Sequence, residues 1–355
     1  GEVWRALAAL CRRNGPLSIK PRLDWALWSW FGRFARRCNE YDMLASARAI
    51  QALLDSSRSL YDELFGAEPL DAEWEKRGVL FVFRTEAAME HFAHTVRLVQ
   101  ELGGRGAVRY DGAALGQLEP ALKPGLAGGW HHEGDAHLRP DKLMTSWRRL
   151  LAARGVTIHE HCALGRFVRH SGQAVAAETS HGALSADAFV VATGAWTPRL
   201  KLDLGCRIPI QPGKGYSITM PRPPRSPAIP LIFEEHRVVA TPMQSGYRLG
   251  SIMEFAGYDE TLDPCRFEWL TSAATHYLHE PTAEPVVERW YGWRPMTFDG
   301  MPIIGRTPAA SNVMIAAGHN MLGLSMAPAT GKLVAELLGG GRPHIDPAPY
   351  SAARF

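Results

Sequence analysis

Residues 312–338 constrain the fold more than any other stretch, because they read as a strand, a glycine loop and a helix in immediate succession. Such a unit buries its apolar faces only inside a layered α/β architecture. Asn312-Val-Met-Ile-Ala-Ala317 is short, apolar and bounded by Asn and Gly, which is the pattern of a buried strand. Gly318 to Gly323 follows as a loop that can bring bare backbone close to a ligand. Leu333, Val334, Leu337 and Leu338 then recur at helical spacing, with Pro328 early and Gly339-Gly340-Gly341 beyond. A strand, a glycine loop and a helix N-terminus together make a site for negative charge, although spacing alone favours an ordinary strand–loop–helix unit. Just upstream, Pro295 biases Arg294 toward an extended backbone and Gly292 removes a side chain, so a guanidinium can reach into a cleft.

Gly292-Trp-Arg-Pro-Met-Thr-Phe-Asp-Gly-Met-Pro-Ile-Ile-Gly305, with Gly318-His319 and Ala327-Pro-Ala-Thr-Gly-Lys-Leu333 after it, resembles the C-terminal signature of the D-amino-acid oxidase superfamily of FAD-dependent amine oxidoreductases. Within it the bacterial D-amino-acid dehydrogenases are the closest likeness, and Lys214-Gly-Tyr-Ser-Ile-Thr219 and Tyr247-Arg-Leu-Gly-Ser-Ile-Met-Glu-Phe-Ala-Gly-Tyr-Asp259 carry it too. The resemblance implies a mixed α/β and α+β fold. A discontinuous Rossmann-like FAD-binding domain is expected over 141–204 and 291–340. A substrate domain built on an antiparallel sheet, with a helical N-terminal region, is expected over 1–140 and 205–290, and 341–355 form a tail.

The same resemblance assigns roles. Val168 matches a contact to adenine, Thr193, Gly194, Ala195 and Trp196 put backbone against the flavin nucleotide, and Gly318, His319, Asn320, Met321, Leu322, Gly323 and Leu324 form the flavin loop. Arg294 matches the clamp on the substrate carboxylate, since a planar fork of donors suits a carboxylate. Met253, Tyr216 and His236 are candidates for the pocket wall, with core packing for Met253 and a surface position for the other two as the plainer readings. The implied reaction is oxidative deamination of a D-amino acid: hydride passes from Cα to flavin N5, and the imino acid is hydrolysed to a 2-oxo acid and ammonia. Electrons go on to a quinone or other carrier. FAD is expected to be non-covalent, because Pro295-Met296 stands where some relatives carry an attaching cysteine. Two alternatives stay open: an O2-using oxidase of glycine or sarcosine, toward which Ala327-Pro-Ala-Thr-Gly331 leans, and a flavin-free fragment or subunit.

No G-x-G-x-x-G occurs among residues 1–355, and the chain opens at Gly1. The resemblance places that dinucleotide unit ahead of Gly1, so the expectation is a fragment whose opening strand and helix lie outside this sequence or come from another chain.

At 355 residues and 46% hydrophobic, the chain can bury a core spread over two domains. Cys11, Cys38, Cys162, Cys206 and Cys265 are odd in number and lack C-x-x-C spacing, which argues for reduced thiols in a cytoplasmic setting. His131, His132 and His137 with Glu133 and Asp135 follow no zinc spacing, so no metal is expected and a surface or cleft-edge loop is. With a net charge of +3 and no binding motif, no nucleic-acid partner is expected.

Charge is uneven: residues 1–40 hold eight Lys and Arg (Arg5, Arg12 and Arg13 among them) against three acids. Within them Asp24 to Arg37 is rich in tryptophan beside arginine, the composition of a helix in a membrane interface at the inner face of the cell membrane. Leu23, Leu27, Trp30, Phe31 and Phe34 share a helical face with Trp25 and Trp28 off it, and the competing reading is a core helix whose tryptophans pack on the neighbouring domain. Periodicity predicts further helices over 41–65, 86–102, 140–154 and 263–279. It predicts strands over 78–83, 156–159, 167–168, 174–178, 188–192, 216–220, 237–241 and 247–253.

Overall fold

Most of these elements form where local pattern and polar caps agree. The computed structural model describes residues 15–355, so Cys11 and the basic residues Arg5, Arg12 and Arg13 lie outside the described residues. The strands are β1 (Leu17–Ile19), β2 (Val79–Phe83), β3 (Val108–Asp111), β4 (Gly128–His132), β5 (Leu164–His170), β6 (Gln173–Thr179), β7 (Gly182–Leu184), β8 (Phe189–Val191), β9 (Ile210–Met220), β10 (Leu231–Phe233), β11 (Val238–Met243), β12 (Gly246–Phe255), β13 (Glu288–Thr297), β14 (Ile303–Arg306) and β15 (Val313–Ala317). The α-helices are α1 (Trp25–Arg37), α2 (Glu40–Ala67), α3 (Glu86–Glu101), α4 (Gly112–Leu118), α5 (Pro140–Ala153), α6 (Lys201–Leu204), α7 (Pro264–Thr275) and α8 (Gly323–Leu338).

Two compact units share them. The first takes the chain up to Pro21, Leu70–Arg154 and Lys214–Gly292; the second takes Arg22–Pro69, Gly155–Gly213 and Trp293–Phe355. These boundaries differ from the expected division. Helices α1 and α2 belong to the second unit, where Ala49 and Leu53 of α2 share a core with Met326, Ala329 and Leu333 of α8. Helix α5 belongs to the first, where Ser146 exchanges hydrogen bonds with the Asp71 backbone and Lys142 pairs with the buried Glu73.

In the first unit a largely antiparallel sheet runs β13-β9-β12-β11-β10-β2-β4-β3, with β1 parallel to β12 where β11 has stopped. Helix α7, capped by Asp263, lays Phe267, Leu270, Ala273 and Ala274 against Tyr216, Ile218, Leu249 and Ile252 of the sheet. Only the second part of the histidine-rich run, Glu133 to His137, is a loop: its first part is β4, which sits between β2 and β3, and His131 is buried because its neighbours on both sides supply the ladder.

In the second unit β15 pairs antiparallel with β14 and parallel with β8, while β5, β6 and β7 form a separate meander. Phe167, Ala174 and Ala177 of the meander share a core with Val191 and Ile315. The strand expected at 156–159 does not form. Val156 and Ile158 are exposed and no described strand pairs with them, and an apolar run without a partner for its backbone gains nothing from extension.

Helix α8 carries Pro328 in its interior, and proline removes the N–H that would bond the carbonyl four residues back. That carbonyl belongs to Leu324, and the Tyr61 hydroxyl of α2 donates to it at 2.7 Å; one residue on, the Ala329 N–H donates to Ser57 Oγ at 3.1 Å. Burial pushes the Tyr61 phenol up to about 12, so it stays a donor at any working pH. Tyr61→Phe strands the Leu324 carbonyl and is expected to lower stability by about 1–3 kcal/mol in urea unfolding, with an unchanged m-value.

Candidate active site

The parallel register of β8 and β15, with Ile315 opposite Val191, makes both strands leave the sheet at the same end. Ala192 to Trp196 emerges from one and Gly318 to Leu322 from the other, side by side. The carboxyl ends of adjacent parallel strands are where open α/β sheets form ligand crevices. After β8 the chain winds into a 3-10 turn, Gly194–Leu200, in which the Thr197 hydroxyl donates to the Gly194 carbonyl at 2.8 Å. Gly194 sits at φ 54, and open space lies where its side chain would begin.

The loop after β15 is held by Asn320. At φ 52 it occupies the left-handed region that asparagine tolerates better than most residues. Its Oδ1 accepts the Thr297 N–H at 2.9 Å, and its Nδ2 donates to the carbonyls of Gly300 at 2.7 Å and Gly318 at 3.1 Å. Its own N–H donates to the Pro295 carbonyl at 3.2 Å. Gly318, at φ 77, lets the Thr297 methyl in where a Cβ would stand 2.8 Å away. The Trp30 indole of α1 donates to the Met296 carbonyl at 3.1 Å, so the end of β13 is gripped from two directions.

Arg294 lies on that gripped segment. It is half-buried, and burial lowers its guanidinium below the usual arginine range while leaving it charged. Its neighbour Trp293 meets Trp196 edge to face, ring centroids 5.1 Å apart, and the Arg199 guanidinium lies 4.2 Å over Trp196. The second unit therefore assembles Thr193, Gly194, Ala195, Trp196, Arg294 and the run Gly318, His319, Asn320, Met321, Leu322, Gly323 and Leu324. Met321, Leu322 and Leu324 are exposed, and the first amides of α8 have no side-chain cap. Val168 is half-buried on β5, and no described contact joins it to that group. His319 shares a hydrogen bond with the Thr330 hydroxyl at 3.0 Å, and burial pushes its imidazole down to about 4.

The other three candidates belong to the first unit. Tyr216 is buried, not on the surface, because its ring packs edge to face on Phe267 and its hydroxyl donates to Glu254 Oε2 at 2.7 Å. Glu254 Oε1 takes the Arg266 guanidinium at 3.1 Å, and Arg266 also reaches Ser18 Oγ at 2.8 Å. Burial and the Glu254 carboxylate push the Tyr216 phenol far up, so it stays protonated. Met253 is half-buried in a β-bulge: the register with β9 shifts between Ser251 and Glu254, and Ile252 is held at φ 69. A β-branched residue there is strained, and bulges of this kind re-aim a side chain. His236 caps the turn after β10, bonded to the Tyr277 hydroxyl at 2.9 Å and stacked on His276. Lys214, from the same motif as Tyr216, is buried with its ammonium over the Tyr216 and Tyr291 rings at 5.1 and 4.7 Å, and it donates to the Thr261 carbonyl. Sequence reasoning placed Trp30 only on a helix face and Trp293 and Glu254 only within motifs, without their partners Met296, Trp196 and Tyr216, because each partner is distant in the chain.

The profile of the FAD dependent oxidoreductase (DAO) family matches residues 25–337. The chain belongs to this family. D-amino acid dehydrogenases of Granulibacter bethesdensis and Methylobacterium radiotolerans are 31% and 32% identical, each alignment covering all of this chain and 86% of the relative. Among solved structures, glycine oxidase from Geobacillus kaustophilus matches with a TM-score of 0.79 at 24% identity, over 86% of this chain and 83% of that one. L-proline dehydrogenase from P. horikoshii matches at 0.73 and 21%, over 85% and 82%. These two show the fold.

FAD is the family's cofactor, and the residues at the shared sheet edge fit its flavin end. Gly194 leaves room for a close approach, the uncapped amides of α8 can take partial negative charge, and exposed Met321, Leu322 and Leu324 offer an apolar surface to a planar ring.

His319 generates a pH prediction. Its folded value of about 4 lies below the unfolded value near 6.5, so the neutral ring stabilises the fold fully above that pH and the contribution is lost as pH falls toward 4. Denaturant titrations from pH 7 to pH 4 should show up to about 3 kcal/mol of loss that His319→Asn abolishes; equal pH slopes in both proteins would count against the assignment.

Proposed function

We propose that this protein oxidatively deaminates D-amino acids and passes the electrons to a quinone or other carrier. Full-length identity near 30% to enzymes named D-amino acid dehydrogenase supports the substrate class. The single observation that carries the site is Arg294, a half-buried guanidinium on a segment fastened through Asn320 to the glycine loop. FAD, when bound, supplies the two-electron acceptor for the Cα–H bond. Arg294 takes the substrate carboxylate in paired hydrogen bonds, which fixes the orientation of the neighbouring Cα. The amides at the start of α8 stabilise negative charge that builds beside them during the oxidation. Within the first unit, Met253 is carried on the bulge of β12. Tyr216 and Lys214 hold the strand beneath it, Tyr216 by its bond to Glu254, and neither acts as a base. His236 closes the adjoining turn. No protein base is needed when the amine enters neutral, and water completes the reaction by hydrolysing the imino acid to a 2-oxo acid and ammonia.

A second reading, an O2-using oxidase of glycine or a similar amine, draws on the match to glycine oxidase. Peroxide release during turnover favours it; dye reduction without peroxide favours the dehydrogenase. Arg294→Lys keeps the charge but loses the fork, and should lower kcat/KM for D-amino acids by on the order of 100-fold at unchanged flavin content. A variant as active as the parent removes Arg294 from the role.

A further inference from the structure

On the α7 side of the first unit's sheet a cavity of about 600 Å³ opens to solvent, and none of the residues assigned to the candidate site lines it. Its floor is apolar. Ile218 and Met220, which share one face of β9, lie there with Phe267 of α7, and all three are buried. Three charged side chains stand at its rim: Glu268 of α7, Glu284 from the segment leading into β13, and Arg289 of β13 itself. On α7 the Phe267 ring goes down onto Tyr216, while the next residue, Glu268, stays exposed. Glu284 is fixed, since its Oε2 accepts the Val286 N–H at 3.1 Å. The adjacent Glu288 does not serve Arg289. Side chains alternate along a strand, and Glu288 turns to the opposite face, where Arg248 and the Thr219 hydroxyl both reach it at 3.3 Å. Glu268, Glu284 and Arg289 form no ion pair among the described residues, with one another or with any other side chain.

We propose that this cavity is a second ligand site, and that it takes a zwitterion with an apolar body, of amino-acid to dipeptide size. Its carboxylate goes to the Arg289 guanidinium, whose planar fork suits it, and its ammonium goes to the two glutamates. The apolar body covers Ile218, Met220 and Phe267. Charges of both signs that face one hollow without neutralising each other are matched only by a ligand that carries both. An apolar anion meets two carboxylates for one guanidinium, and an apolar cation leaves Arg289 without a partner, so each satisfies part of the set. The volume lies within the roughly 300–1,000 Å³ of small-molecule sites, and an apolar floor with a few polar groups at the edge is their usual composition. The proposal stands apart from the role given to Arg294.

The test is isothermal titration calorimetry of the FAD-loaded full chain with L-phenylalanine, without an electron acceptor. The L enantiomer lies outside the substrate class proposed above. Phenylpropionate and phenethylamine, which each keep one of its two charges, serve as controls. The expected result is saturable binding of L-phenylalanine with a Kd on the order of 1 mM, and binding about tenfold weaker for either control. Arg289→Gln should weaken L-phenylalanine by about tenfold and leave phenethylamine unchanged, while Arg294→Lys binds L-phenylalanine as the parent does. Arg289 is exposed, so its replacement leaves the core intact. Absence of saturable binding overturns the proposal, and so does undiminished affinity in Arg289→Gln. Loss of affinity in Arg294→Lys places the ligand at the other site and overturns it as well.

Discussion

One asparagine fastens the candidate site. Asn320 uses its amide and its own N–H to tie Pro295, Thr297, Gly300 and Gly318 into a single body, and its left-handed backbone lets the chain turn sharply enough to do so. Arg294 stands one residue upstream of that knot and the start of α8 two or three residues downstream. A guanidinium and a row of helix amides are thereby held in fixed relation by partly buried hydrogen bonds, which suits chemistry that depends on orientation. The Trp30 indole on Met296 and the Trp293–Trp196 contact extend the same body to α1 and to the turn after β8.

The helix that begins in this body is unusual in where its backbone bonds go. Proline inside α8 frees one carbonyl, and α2 satisfies it through Tyr61; the neighbouring amide goes to Ser57. Helix α2 thus serves as a brace for the first turns of α8, and the start of α8 carries no side-chain cap. The start of α8, without a side-chain cap, and the open space at Gly194 are the two features there that would suit a ring taking up negative charge.

Much of this was legible in residue order. The strand over 313–317, the glycine loop and the helix after it follow from apolar runs and glycine placement, and Glu40–Ala67 follows from an uninterrupted helical period. The signature around Gly292 to Gly305 pointed to the family before any fold was known. The failures share a cause. Whether Val156–His159 is a strand depends on a neighbour, not on its own residues, and Leu23 misleads because a cap at Asp24 moves the helix start past it. Burial of Tyr216 and His131 comes from strands and helices far away in sequence, and the grouping of α1 and α2 with α8 rests on contacts that no local window contains.

The central claim is that a guanidinium in this site grips an acid group so that the neighbouring carbon is oxidised. Anaerobic stopped-flow bleaching of the flavin, comparing D-amino acids with the corresponding D-amino-acid amides, tests it most directly. The amides keep the amine and the Cα–H but lack the carboxylate, so the account predicts reduction slower by on the order of 100-fold or not at all. Bleaching by the amides at the rate of the acids would contradict it.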